Sequence, residues 1–287
     1  MNNNYREKDN FEKIIKMYST SETKIFIDSA YFLFFCFYGL KPYEYKDQNG
    51  ELPEDVFENK RFVRIFERKF IANYYRISKQ FKIHFEHIIF VRDCPRSKIW
   101  RNEKYNEYKQ TRSKKCSIKD INNNTGEVVE KKFNIGNLFR YIYNDFMFNK
   151  TKLKEKINIF KFDNLEADDI IAISVKQLEQ IEKKSIIIAE DHDLIQLCSD
   201  YIEVYNLTFE NMGLKYQNRR LIDKIIFGDK SDNITGISPK NSANIIEDLI
   251  NIDLDTFCRN IQLIKFNYIP TKLTIKVIDK IRSLYSF

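Results

Sequence analysis

The chain has 287 residues, 43% of them hydrophobic and 15% aromatic, which is enough apolar matter for a full core and excludes a disordered chain. Its formal charge of +7 fits a polyanionic partner such as nucleic acid, although a merely Lys-rich composition gives the same excess. Five cysteines without a CxxC pair, and only three histidines, argue against a disulfide framework, a zinc knuckle or a His-rich metal site, and for a reducing intracellular compartment.

The first 23 residues begin "MNNNYREKDN", polar and without the apolar core of a signal peptide. A first buried strand is expected at "KIFID" (24–28), and the apolar "YFLFFCFYGL" (31–40) after it is too short to cross a membrane, which takes ~18–20 residues. Phe62, Ile65, Phe66, Phe70 and Tyr74 recur at helical spacing and predict a helix over 59–81. "HIIFV" (87–91) predicts a second strand, and residues 112–132, polar and basic without a period, read as a flexible or partly helical excursion. "INIFKF" (157–162), a helix over 168–184, "SIIIA" (185–189) and "YIEVYNL" (201–207) follow. Short apolar runs with little polar alternation suit buried parallel strands, and their alternation with helices implies an α/β sheet covered on both faces. From about 219 strands cease, and "NSANIIEDLINI" and "DTFCRNIQLI" read as a helical appendage.

Carboxylates gather where these strands end. Asp28 ends the first and Asp93 follows the second; Glu166, Asp168 and Asp169 follow the third, and Asp191 and Asp193 the fourth. Each alone is an ordinary turn former or helix-start acid. Together they fall at the sheet edge where α/β folds bind ligands. Asp229 and Asp232 in "GDKSDNI" add two more acids, three apart. Such a cluster repels itself unless a cation sits within it, and carboxylates without His or Cys select hard ions, Mg²⁺ or Mn²⁺. Two such ions about 3.5–4 Å apart can activate water and stabilise a leaving oxygen in phosphodiester cleavage. Upstream, "WRNEKYNEYKQTRSKK" (100–115) interleaves Arg101, Lys104, Lys109, Arg112, Lys114 and Lys115 with Trp100, Tyr105 and Tyr108. Those cations can pair with phosphates and those rings can stack on unpaired bases, though a solvated helix face would look alike.

Five segments in order resemble the 5′-nuclease family, which includes flap endonucleases, the 5′-nuclease domain of bacterial DNA polymerase I and phage 5′-exonucleases, some named ribonuclease H. They are "IDSAYFLFFCF", "WRNEKYNEYKQTR" (with Asn106 in place of the family's proline), "LEADDIIA", "AEDHDLIQL" and "GDKSDNITGI". The resemblance implies a PIN/resolvase-like, mostly parallel sheet flanked by helices. It divides the chain into an extension over 1–23, a nuclease domain over 24–218 with an arch at about 101–132, and a C-terminal helical DNA-binding region over 219–287, a helix–turn–helix variant. It assigns Asp28, Asp93, Glu166, Asp168, Asp169, Asp191, Asp193, Asp229 and Asp232 to a site for two Mg²⁺ (or Mn²⁺) ions. Lys109, Arg112 and Arg101 match its catalytic cations. Nucleic-acid contacts are implied for Arg101, Lys104, Tyr105, Tyr108, Lys114, Lys115, Gly236 and Lys240. Two departures stand out: Phe35 replaces an arginine of the first helix, and the turn at 236–240 is shorter than the family's glycine-rich hairpin.

The function so implied is 5′→3′ exonuclease and flap endonuclease action on DNA, and on RNA primers in RNA–DNA hybrids, in replication or repair. A monomer is expected, with a single-strand-binding protein or sliding clamp as partners and no membrane. The alternatives are a PIN-type endoribonuclease and a non-catalytic nucleic-acid-binding relative.

Overall fold

The computed structural model describes residues 22–47, 50, 55–112, 115–121, 128–150, 157–216, 221–237 and 253–284. In chain order these form β1 (Lys24–Asp28), α1 (Ser29–Tyr38), α2 (Lys60–Phe81), β2 (Ile88–Val91), β3 (Lys115–Ile121), β4 (Val128–Asn134), β5 (Asn158–Phe160), α3 (Ala167–Glu179), β6 (Ser185–Ile188), β7 (Ile202–Tyr205), α4 (Leu221–Phe227), β8 (Gly228–Asp229), β9 (Ile234–Thr235), α5 (Leu254–Ile264) and α6 (Thr271–Ser283), with a helical stretch of Ile135–Arg140 and Tyr141–Lys150 after β4 and shorter helical turns elsewhere. No helix among the described residues is long and apolar enough to cross a membrane. Cys36, Cys94, Cys198 and Cys258 are free thiols.

The chain divides into two compact units, one of residues 31–88 and 113–158 and another of 22–30, 89–112 and 159–287. The boundary expected at 218/219 falls inside the second unit, and the extension over 1–23 lies almost wholly outside the described residues.

In the first unit, α2 starts where the Asn59 side chain accepts the amides of Arg61 and Phe62, and it ends at Lys82 in a left-handed conformation (φ 55°). The predicted stripe is largely its buried face: Phe62, Phe66, Phe70 and Tyr74 are fully enclosed, and Ile65 is half-buried. Their neighbours are aromatic too, with Phe32 edge-on to Phe70 at 5.0 Å and Phe37 edge-on to Phe62 at 6.1 Å. Where a flexible or partly helical excursion is expected over 112–132, the described residues 115–121 and 128–134 form an antiparallel ribbon. β3 and β4 pair from Lys115↔Asn134 to Ile121↔Val128, placing Lys119 opposite Glu130. β-branched Ile118, Ile121, Val128 and Val129 flank the polar "NNNTGE", which is hairpin chemistry that the surrounding lysines obscure.

The second unit holds a five-stranded sheet in the order β5–β2–β1–β6–β7, with β1–β6 and β6–β7 parallel. β1, β2 and β6 are buried almost throughout, as their unbroken apolar runs require. The helix expected over 168–184 is α3; its Ile171, Val175 and Leu178 share a core with Leu273, Val277 and Ile281 of α6. Strands do not wholly cease after 219: β8 and β9 form a minimal antiparallel pair. Gly228 makes this possible. Its φ is +77°, and a Cβ there would lie 2.4 Å from the Ile234 carbonyl oxygen. The helix expected at "NSANIIEDLINI" lies outside the described residues, whereas "DTFCRNIQLI" forms α5.

Candidate active site

Every candidate acid lies in the second unit. Asp28 closes β1, and its Oδ1 accepts the Ala30 amide at 2.9 Å. β6 runs parallel to β1 and leads to Asp191, whose Oδ1 accepts the Asp193 amide at 2.8 Å. Asp93, just past β2, accepts the Ala167 amide at 2.7 Å, one of the donors that the start of α3 leaves unpaired. Asp168 stands in the first turn of α3. Burial, then Asp191 and Asp28, with Asp93 adding to them, push its carboxyl well above the usual range, so these four acids share one field. Desolvation and the Glu166 charge likewise raise Asp93.

A second group is formed by Asp193, Asp229 and Asp232, which each offer an oxygen within 4.8 Å of the others. Burial, then Asp191, lift Asp193 to about 6. Asp229 goes the other way: burial opposes its charge, but hydrogen bonds from Lys224 and Ser231 hold it down at about 2.

The basic block folds back onto these acids. Arg101 is 3% exposed; its Nη2 donates to Asp169 Oδ1 (2.7 Å), its Nη1 to Asp169 Oδ2 (2.8 Å) and Glu166 Oε2 (2.9 Å), and its Nε to the Leu263 carbonyl at the end of α5 (2.8 Å). Trp100 Nε1 and the Glu166 amide also donate to Asp169 Oδ2, at 2.9 and 3.1 Å. Tyr108 donates to Glu166 Oε2 (2.9 Å) and Asp232 Oδ2 (3.2 Å). Lys109 Nζ donates to Glu166 Oε1 at 2.6 Å and lies 3.6 Å from Asp232 Oδ2. Burial works against the Glu166 charge, but Lys109 and Arg101 outweigh it and keep the carboxyl at about 2. Arg112 pairs with Asp232 from the rim, its side chain 41% exposed.

The donor set is oxygen only, and several of its acids are held above their ordinary range by burial and then by one another. Both properties fit a hard divalent cation, whose charge would relieve that repulsion.

Residues 23–225 match the family profile described as the 5′-3′ exonuclease, N-terminal resolvase-like domain. The chain belongs to the 5′-3′ exonuclease family. Among relatives of this family member, the 5′-3′ exonuclease of Buchnera aphidicola subsp. Acyrthosiphon pisum is 29% identical over 208 residues, 69% of this chain and 63% of that protein. The 5′-3′ exonuclease of subsp. Schizaphis graminum is 38% identical over 97 residues, 30% and 34% of the two chains. DNA polymerase I of Borreliella burgdorferi is 33% identical over 115 residues, 35% of this chain and 13% of the polymerase. The chain thus spans less than two thirds of each of these curated relatives. In structure, this family member superposes on the bacteriophage T5 D15 protein co-crystallised with metal ions with a TM-score of 0.61 at 16% identity, over 91% of this chain and 99% of the other. The T5 D15 flap endonuclease in a pseudo-enzyme-product complex with DNA and metal ions gives 0.55 at 16%, over 93% and 100%. At such identity the likeness is one of fold.

In this 5′-3′ exonuclease family member several residues expected at the site are turned into the protein. Arg101, Tyr108 and Trp100 are enclosed against carboxylates. Asp169, fully buried, has both oxygens engaged by Arg101, Trp100 and the Glu166 amide, which anchors it within the protein. Gly236 packs against the Phe227 backbone, where a Cβ would lie 2.4 Å from the Phe227 carbonyl carbon. Lys104 is exposed, and Tyr105 lies under the Arg259 guanidinium at 4.5 Å. Lys114, Lys240 and the Lys115 side chain lie outside what is described. Lys224 escaped sequence reasoning. Its only signal is a place five residues before Asp229 in "DKIIFGD", lost among 48 basic residues.

Proposed function

We propose that this chain is a divalent-metal-dependent 5′→3′ exonuclease and flap endonuclease of DNA, acting also on RNA primers in RNA–DNA hybrids during replication or repair. The supporting observation is one array in which strand-end carboxylates meet the buried Lys109 and the rim cation Arg112. Asp28, Asp93, Glu166, Asp168, Asp191, Asp193, Asp229 and Asp232 would hold two Mg²⁺ or Mn²⁺ ions. When bound, such ions neutralise charge on a scissile phosphate and activate water.

The chain's own groups do the rest. Asp169 and Arg101 fix the start of α3, which carries Glu166 and Asp168, and so act as positioning residues. Lys109 already has carboxylates on two sides; exchanging one for a phosphoryl oxygen keeps it paired and puts fixed positive charge where negative charge grows in the transition state. Arg112, half exposed, can present its guanidinium fork to a phosphate from the rim. Lys104 adds a backbone contact that carries no sequence information.

The test is digestion of a 5′-labelled flap duplex with and without Mg²⁺. Cleavage near the junction and progressive 5′ trimming, both abolished by chelation, are expected. Binding of the flap without cleavage under any divalent ion would instead favour a non-catalytic relative.

A further inference from the structure

Asp193, Asp229 and Asp232 bring carboxylate oxygens within 4.8 Å of one another. Like charges so close repel strongly where water is scarce. A cation already answers two of them. Lys224 of α4 places its Nζ 2.5 Å from Asp193 Oδ1 and 2.7 Å from Asp229 Oδ2, with its side chain 19% exposed. Asp232 has different partners in Tyr108, Lys109 and Arg112. A divalent ion drawing on Asp193 and Asp229 therefore meets an ammonium bound to an oxygen of each. Either the ammonium withdraws and competes, or it stays and repels the ion. Both lower the affinity for the ion.

The backbone says which partner gives way. Asp229 follows Gly228, whose positive φ and close approach to Ile234 and Gly236 fix the turn. The Asp229 Oδ1 is held further by the Ser231 amide and hydroxyl. Lys224 ends in a flexible four-carbon stem and can swing out while the carboxylates stay.

We propose that Lys224 is a tethered counter-cation for Asp193 and Asp229 that holds the metal-free site together and weakens its grip on a divalent ion. The proposal rests on reading these acids as metal ligands. It makes the ion at this cluster the more weakly held one, so that its occupancy follows the ambient divalent concentration. If Lys224 were only a pin between α4 and the turn, removing it would loosen the carboxylates and leave ion binding unchanged or weaker.

Mn²⁺ binding to the full chain, read from the resonance of free Mn²⁺, separates the two roles. In Lys224→Met the affinity of the weaker class should rise on the order of tenfold, with Lys224→Gln behaving alike as a second neutral variant. Lys224→Arg should stay near wild type, and chelated samples of both neutral variants should melt below wild type. Unchanged or weakened Mn²⁺ affinity in both neutral variants overturns the proposal. Wild-type binding that is indifferent to Asp193→Asn would overturn the metal-ligand reading itself.

Discussion

Glu166, Asp168 and Asp169 crowd three carboxylates into four positions, and each has a different set of neighbours. Asp169 satisfies the Glu166 amide and is locked by Arg101 and Trp100. Glu166 is neutralised by Lys109 and Arg101, and Asp168 is left facing Asp191 and Asp28. The imbalance sets a pH dependence. Asp168 and Asp193 have folded pKa values above their unfolded ones, Asp193 at about 6. Such groups contribute stability that is fully present below the unfolded pKa, roughly 3.9, and lost as pH rises through the folded value. Glu166 and Asp229, held down at about 2, contribute stability that is lost only as pH falls below the usual carboxylate range. Between pH 5 and 8 the raised acids therefore decide the trend. Mg²⁺ should raise the melting temperature more at pH 8 than at pH 5, by calorimetry at fixed ionic strength. An equal or smaller gain at pH 8 would contradict the charge assignment.

Lys109 carries a second expectation at this scale. Its ammonium is buried against Glu166, so the part proposed for it is charge stabilisation rather than capture of substrate. Lys109→Ala should slow single-turnover flap cleavage by about 10²–10³-fold, the cost of one preorganised donor, while the dissociation constant changes far less. A variant that altered affinity alone would remove Lys109 from the chemistry.

At the scale of elements, the acids were legible because strand ends are legible. "KIFID" and "SIIIA" read as buried strands, and the position of Asp28 and Asp191 at their ends follows from topology. The orientation of "WRNEKYNEYKQTR" was not. A run of cations and rings has the same pattern whether it faces phosphates or the protein's own carboxylates, and only tertiary packing turns Arg101, Tyr108 and Lys109 inward. The β3–β4 ribbon is hidden for a related reason: Lys115, Lys119, Lys131 and Lys132 break up any regular alternation, and its β-branched residues are few. The 228–236 turn is the element on which Asp229 and Asp232 depend. Gly228→Ala forces a non-glycine residue to φ +77° and a Cβ against Ile234. A destabilisation of about 1–3 kcal/mol is expected by denaturant titration, with weaker divalent binding. A neutral substitution would show that the turn relaxes at little cost.

For the molecule as a whole, the second unit builds the candidate site from segments far apart in sequence. The sheet supplies Asp28 and Asp191, α3 supplies Glu166 and Asp168, the block after Ile99 supplies Lys109 and Arg112, and the β8–β9 turn supplies Asp229 and Asp232. Arg101 ties the block after Ile99 to the start of α3 through Asp169 and Glu166, and to the end of α5 through the Leu263 carbonyl. The central claim is that the strand-end carboxylates make this site a metal-dependent nuclease. Asp168→Asn tests it most directly, because Asp168 lies in the shared field of Asp28, Asp93 and Asp191. Cleavage and equilibrium binding of one 5′-flap duplex should be measured side by side in Mg²⁺ for this variant and wild type. The account predicts at least about 10³-fold slower cleavage with the duplex still bound, as when a charge-stabilising group is lost. Cleavage by Asp168→Asn at the wild-type rate would contradict it.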